Sequence, residues 1–133
     1  MHVGYFAGFN ESNTLLVEAD VEEIRELHAV FQSLAAGRIK RFIVHRLPFV
    51  RTHHGVELRA ACGGDDRGAR RCGPGNSFLW ERSSIGWSGV AEKLAVLAAT
   101  PGPCHQYLDS EQDDVVVQLS KGEYGDEWWS RNG

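Results

Sequence analysis

Apolar residues along the chain alternate between a period of two and a period near 3.6, and that alternation predicts the elements. "HVGYFAGF" and "TLLVEA", parted by "NESN", read as a β-hairpin. "VEEIRELHAVFQSLAAG" follows, with Ile24, Leu27, Val30 (or Phe31) and Leu34 at helical spacing. Asp20 suits its N-cap, Glu22 and Glu23 its first turn and Gly37 its C-terminal stop. Two strand-like runs come next, "RIKRFIVHR" and "GVELRAAC", joined across "LPFVRTHH". The stretch "GGDDRGARRCGPGN" holds five glycines, a proline and mixed charge, and reads as an exposed loop.

The pattern then starts again. "NSFLWERSSIGWSGVAEKLAVLAA" aligns without a gap on "NTLLVEADVEEIRELHAVFQSLAA", mostly at a shift of 63 positions. Leu16, Val17 and Glu18 fall on Leu79, Trp80 and Glu81, while Ile24, Leu27, Phe31 and Leu34 fall on Trp87, Val90, Leu94 and Leu97. Two further strands close each copy. Val56, Leu58, Ala60 and Gly63 fall on Val115, Val117, Leu119 and Gly122. The expectation is an internal pseudo-repeat, 13–64 and 76–123, joined by the Gly/Arg-rich loop 63–76 within one domain spanning 1–133.

Each unit reads β-α-β-β. A strand-helix-strand crossover makes its strands parallel and the closing hairpin antiparallel. The fold class expected is therefore α+β: two tandem β-α-β-β units forming one mixed six- or seven-stranded sheet, with two helices on one face. Alternation puts His105, Tyr107 and Asp109 on one side of their strand, and leaves the second sheet face polar to mixed.

Composition adds limits. The 42% apolar and 24% charged residues are those of a globular protein, and a formal charge of −4 speaks against a general nucleic-acid binder. No membrane span or signal peptide is read from the chain, so a cytoplasmic location is the expectation. Three cysteines, an odd number, favour reduced thiols.

Four groups of residues carry candidate chemistry. His45, His53 and His54 fall in one predicted hairpin and form a weak metal alternative, without recognised ligand spacing. His105, Tyr107, Asp109 and Glu123 form an alternative pocket, in which a carboxylate would orient a histidine base. No nucleophile elbow, phosphate loop, dinucleotide fingerprint or zinc-protease motif accompanies them, so no cofactor is expected and the reading leans away from an enzyme. Charge is polarised: Arg38, Lys40, Arg41, Arg46 and Arg51 lie in a stretch without acids, and seven acids lie from Asp109 onward. Finally, "EYGDEWW" sets Tyr124, Trp128 and Trp129 among acids, which is the composition of a protein-binding hot spot.

The segment "VAEKLAVLAATPGPCHQYLDSEQDDVVVQLSKGEY", above all "HQYLD" and "SKGEY", resembles small bacterial proteins and is similar to the helix-then-hairpin pattern of immunity proteins from polymorphic-toxin systems. That resemblance covers about a third of the chain. It implies a single-domain α+β protein that neutralises a cognate toxin by binding it. The expected function is thus a non-catalytic module that binds a protein partner, a basic toxin fitting best. Its surface would comprise Asp113, Asp114, Glu123, Tyr124, Asp126, Glu127 and Trp128. A homodimer through the open sheet face or edge is a further expectation, and neither nucleic acid nor membrane is expected as partner.

Overall fold

The computed structural model describes residues 1–109 and 115–133. In chain order the elements are β1 (His2–Phe9), β2 (Ser12–Glu18), α1 (Val21–Ala35), β3 (Arg41–Ile43), a 3-10 turn (Val44–Arg46), β4 (Arg51–Thr52), β5 (Glu57–Cys62), β6 (Gly68–Arg71), β7 (Ser77–Arg82), α2 (Ser84–Ala99), β8 (Cys104–Tyr107), β9 (Val116–Lys121) and α3 (Asp126–Asn132).

The α1 boundary follows from local chemistry. Asp20 accepts the Glu23 backbone N–H while the Glu23 carboxylate accepts that of Asp20, a reciprocal capping box. The helix buries Ile24, Leu27, Phe31 and Leu34. On α2 the Ser83 hydroxyl accepts the Gly86 N–H, and Trp87, Val90, Ala91, Leu94 and Leu97 are buried. Neither helix with an apolar stripe, nor the short α3, is long and apolar enough to cross a membrane.

The fold is α+β, but its strands form two mixed sheets where the sequence pattern suggests one. Among the described residues these run β4-β1-β2-β9-β8 and β3-β5-β7-β6. The reason is an exchange of hairpins. The first hairpin of each half pairs with the last hairpin of the other, so β2 runs parallel to β9 and β5 parallel to β7. The crossover through α1 therefore leaves one sheet and enters the other.

The two junctions share one register. Leu15 opposes Val117 and Val17 opposes Leu119, while Phe78 opposes Leu58 and Trp80 opposes Ala60. These are the same pairs under the alignment of the halves, read once in each sheet. The halves are also longer than β-α-β-β. Gly68–Arg71, read as loop, is strand β6 and pairs antiparallel with β7 as β1 pairs with β2. The second half runs ββαββ, and the first does so with a 3-10 turn and the two-residue β4, which pairs with β1, set between β3 and β5. The helices and the inner faces of both sheets share one core, from Val3, Leu15 and Val17 through Phe31 and Leu94 to Leu58, Phe78 and Trp80. Cys62, Cys72 and Cys104 are free thiols.

Candidate functional site

Strand alternation turns His2, Gly4 and Phe6, then Thr14, Leu16 and Glu18, away from the core on β1 and β2. Cross-strand pairing adds Val116, Gln118 and Ser120 from β9, and His105 and Tyr107 from β8. Of the residues singled out by the sequence, His105 and Tyr107 lie on the strands of this outer face of the five-stranded sheet.

One end of the face is covered by α3. Trp129 is 1% exposed, and its indole N–H donates to the Tyr124 carbonyl at 3.1 Å. The ring lies so close to β1 that a Cβ on Gly4 would meet it at 2.9 Å. Only glycine leaves room for that contact. His2 and His53 stack on the same indole, with centroids at 5.0 and 4.6 Å. His2 also bridges outward, Nε2 to the Asp126 carboxylate and Nδ1 to His53 Nε2, both at 2.9 Å. His54 Nε2 lies 3.3 Å from the Asn132 carbonyl.

The loop before α3 is fastened by Glu18. This buried carboxylate accepts the backbone N–H groups of Gly122 (2.8 Å), Glu123 (3.1 Å) and Tyr124 (2.8 Å). Burial pushes its pKa up, against the downward pull of the three donors. Gly122, at φ +72°, makes the turn out of β9 that presents them. The corresponding Glu81 instead pairs with Arg70 at 2.8 Å. The two halves therefore diverge chemically at the point where "GEYGDEWW" leaves the repeat.

Beside Trp129 lies a half-buried aromatic cluster. Trp128 meets Tyr124 at 4.8 Å, Phe6 at 5.4 Å and Phe9 at 6.3 Å between ring centroids, and Phe9 meets Tyr124 at 5.8 Å. Asp126 and Glu127 rim it, with side chains 92% and 79% exposed. Glu123 sits nearer β8, where its carboxylate contacts His105 Nδ1 at 3.0 Å.

The structure thus brings together Glu123, Tyr124, Asp126, Glu127 and Trp128. Asp113 and Asp114 lie outside the described residues. Of the alternative pocket, His105, Tyr107 and Glu123 share the outer face, and the His105 and Tyr107 rings stand edge to face at 5.4 Å. Asp109 departs from it. It lies beyond the end of β8, where strand alternation no longer holds, and it is buried against Arg82 and the Ala69 N–H. The metal alternative disperses too. His45 Nδ1 accepts the Leu58 backbone N–H at 3.0 Å, whereas His53 and His54 face α3. Among the described residues no three His, Cys, Asp or Glu side chains are placed to hold a metal ion.

Sequence reasoning missed Phe6 and Phe9. Residues three apart on a regular strand face opposite ways, but the register of β1 against β2 shifts between them. The bulge brings both onto the outer face. His2 and Glu18 also carried no local signal, because their partners are more than 100 residues away.

Acid should loosen α3. Burial lowers the His53 pKa, aided by the nearby His2, His54 and Arg51 charges, and the hydrogen bond from His2 lowers that of Asp126. Both shifts act in one direction. A depressed histidine loses stability as pH falls from its unfolded-state pKa toward its folded one, and a depressed carboxylate does so lower still. The expected result is red-shifted tryptophan emission below about pH 6, before the core unfolds. A pH-independent spectrum from pH 7.5 to 4.5 would contradict this.

Compared with known protein families, curated proteins and solved structures, the chain finds no match.

Proposed function

We propose that this protein is a non-catalytic protein-binding module whose partner is a basic protein, a toxin neutralised by occlusion being the best fit. The observation that carries the reading is the half-buried cluster of Phe6, Phe9, Tyr124 and Trp128 with the exposed Asp126 and Glu127 at its rim. Aromatic anchors ringed by groups that steer a charged partner are what high-affinity interfaces concentrate. The anchors are also preorganised: Glu18 pins the loop and Trp129 pins the helix that carries them. A rigid anchor loses less entropy on binding.

The test is affinity capture from the native host, followed by purification of the basic protein recovered in stoichiometric amount. Trp128→Ala is expected to weaken that complex about 30-fold or more, the loss of a hot spot. Glu127→Lys is expected to slow association, with a smaller dependence on salt. A complex that Trp128→Ala leaves at full affinity would place the interface elsewhere and end this reading.

A second reading is a small enzyme or ligand-binding domain, favoured by the 3.0 Å contact of His105 with Glu123 beside Tyr107. A carboxylate on an imidazole can orient a base. Asp109 is not available to it. That reading requires a small molecule whose binding is lost in His105→Ala.

A further inference from the structure

Cations without a counter-ion gather at the β3 edge of the four-stranded sheet. Arg25, Arg59, Arg67, Arg70, Arg82 and Arg131 each pair with an acid. Among the described residues no carboxylate pairs with Arg38, Lys40, Arg41 or Arg46. Arg41 and Arg46 are exposed and line one hollow of about 410 Å³. Its other walls are Phe42, Ile43, Leu47 and Pro48, so it holds two positive charges, no acid and no neutral polar side chain. Arg41, Phe42 and Ile43 also bound a second hollow, of about 450 Å³, together with the apolar Ala61 and Leu79. The other charged groups there are spent, Arg59 on Glu57 at 3.1 Å and Glu81 on Arg70 at 2.8 Å.

The backbone of β3 is open on the same side. The sheet runs β3-β5-β7-β6, so β3 is an edge. The Lys40 carbonyl accepts the Cys62 N–H at 2.9 Å, and antiparallel alternation then turns the N–H and C=O of Arg41 away from β5. Among the described residues no group bonds to either. An edge in this state is a template for one more strand. The charge beside it selects the strand. A second copy of the chain is a poor occupant, because two β3 edges meeting about a twofold axis would crowd their arginines together. Nucleic acid is a poor one too. Phe42 is the one ring in either hollow and it packs against the core, so none is free to stack on a base.

We propose that this edge docks an extended acidic segment of a protein. The segment pairs with the Arg41 backbone, sets carboxylates on the Arg41 and Arg46 guanidiniums and places apolar side chains in the two hollows. The surface belongs to the other sheet from the aromatic cluster, and the proposal does not rest on the role of that cluster.

The probe is the capped pentapeptide acetyl-Asp-Leu-Asp-Leu-Asp-amide, titrated against the full chain and followed by NMR. The expected result is saturable shifts of the Arg41 backbone amide and of the Ile43 and Leu79 methyl groups. The asparagine analogue, of the same shape without the charge, should leave them unmoved. Arg41→Glu/Arg46→Glu is expected to weaken binding roughly 2- to 30-fold, the range of two surface ion pairs. Arg46→Glu alone serves as a second variant, with near-ultraviolet dichroism to check that each is folded. Equal shifts with the asparagine peptide, full affinity in the double variant, or no shift at β3 would each overturn the inference. So would a response of these resonances to single-stranded dT12 alone, or self-association in sedimentation that Arg41→Glu abolishes while the peptide leaves it untouched. Failure here is separable from failure of the aromatic site: Trp128→Ala is expected to bind the acidic peptide at full affinity, whatever becomes of the basic partner.

Discussion

Replacing Trp87 with alanine is expected to lower the free energy of unfolding by about 3–5 kcal/mol. Trp87 is fully buried and lies flat on Phe31, with centroids 5.1 Å apart and an interplanar angle of 5°. Its edge meets Trp80 at 4.9 Å, and Trp80 meets Phe31 at 5.5 Å. The three rings come from α2, α1 and β7. The indole N–H then reaches a fourth element, donating to the Ala61 carbonyl of β5 at 3.0 Å. One side chain thus ties both long helices and the four-stranded sheet together. Alanine leaves a large cavity, strands two rings without their partner and removes the indole hydrogen bond to Ala61.

Set against a typical total of roughly 5–15 kcal/mol, such a loss leaves the chain marginal. A midpoint of thermal unfolding roughly 10–20 °C lower is the expected readout. Trp87→Phe keeps the stack and loses the N–H, and is expected to cost about 1–3 kcal/mol. A Trp87→Ala protein within about 1 kcal/mol of the parent in urea unfolding would show that the helices relax around the hole.

The parts of the fold that were legible are those written locally. α1 announces itself through its 3.6-residue spacing and its Asp20–Glu23 cap, both within a few residues. Strand faces were legible too, and the alignment that matches Val17 with Trp80 and Leu119 with Ala60 makes the pairs observed in the two sheets equivalent once one of them is seen. What could not be read was which hairpin pairs with which. Alternation buries Leu58 and Ala60 whether they lie beside β2 or β7, so exchange within or between halves looks the same in the sequence. Strand β6 was hidden for a related reason. Gly68–Arg71 has Ala69 as its one buried apolar side chain, and only pairing with β7 makes it a strand.

The site was legible in composition but not in geometry. Acids and aromatics at 123–129 stood out, but whether the adjacent tryptophans are exposed or folded back was not legible. Trp129 is buried and Trp128 half-exposed, on a helix and not an extended tail. Seven residues are too few to show a helical period. The histidines misled because a histidine that accepts a backbone N–H, as His45 does from Leu58, looks in sequence like one that awaits a ligand.

Arg82→Met is expected to be the second severe substitution, costing about 3–5 kcal/mol. Its guanidinium pairs with the Asp109 carboxylate, and Asp109 is 3% exposed. The same carboxylate accepts the Ala69 N–H at 3.0 Å, and Ala69 forms a bridge with Val115. That cluster stands where the β6 edge of the four-stranded sheet meets the entry to β9 in the five-stranded one. It is the polar clasp between the two sheets. Removing the cation takes an ion-pair partner from a buried carboxylate, which costs far more than the intact pair contributes. Asp109→Leu should be milder, about 1–3 kcal/mol, because the Arg82 side chain is 15% exposed and can turn to water while Ala69 loses an acceptor. The double variant Arg82→Met/Asp109→Leu is then expected to be more stable than Arg82→Met alone, since an apolar pair replaces a buried carboxylate that has lost its guanidinium. Urea unfolding of the four proteins closes a double-mutant cycle. A coupling energy near zero, with the two single losses simply adding, would show that the sheets are held by the apolar core and that this ion pair is incidental.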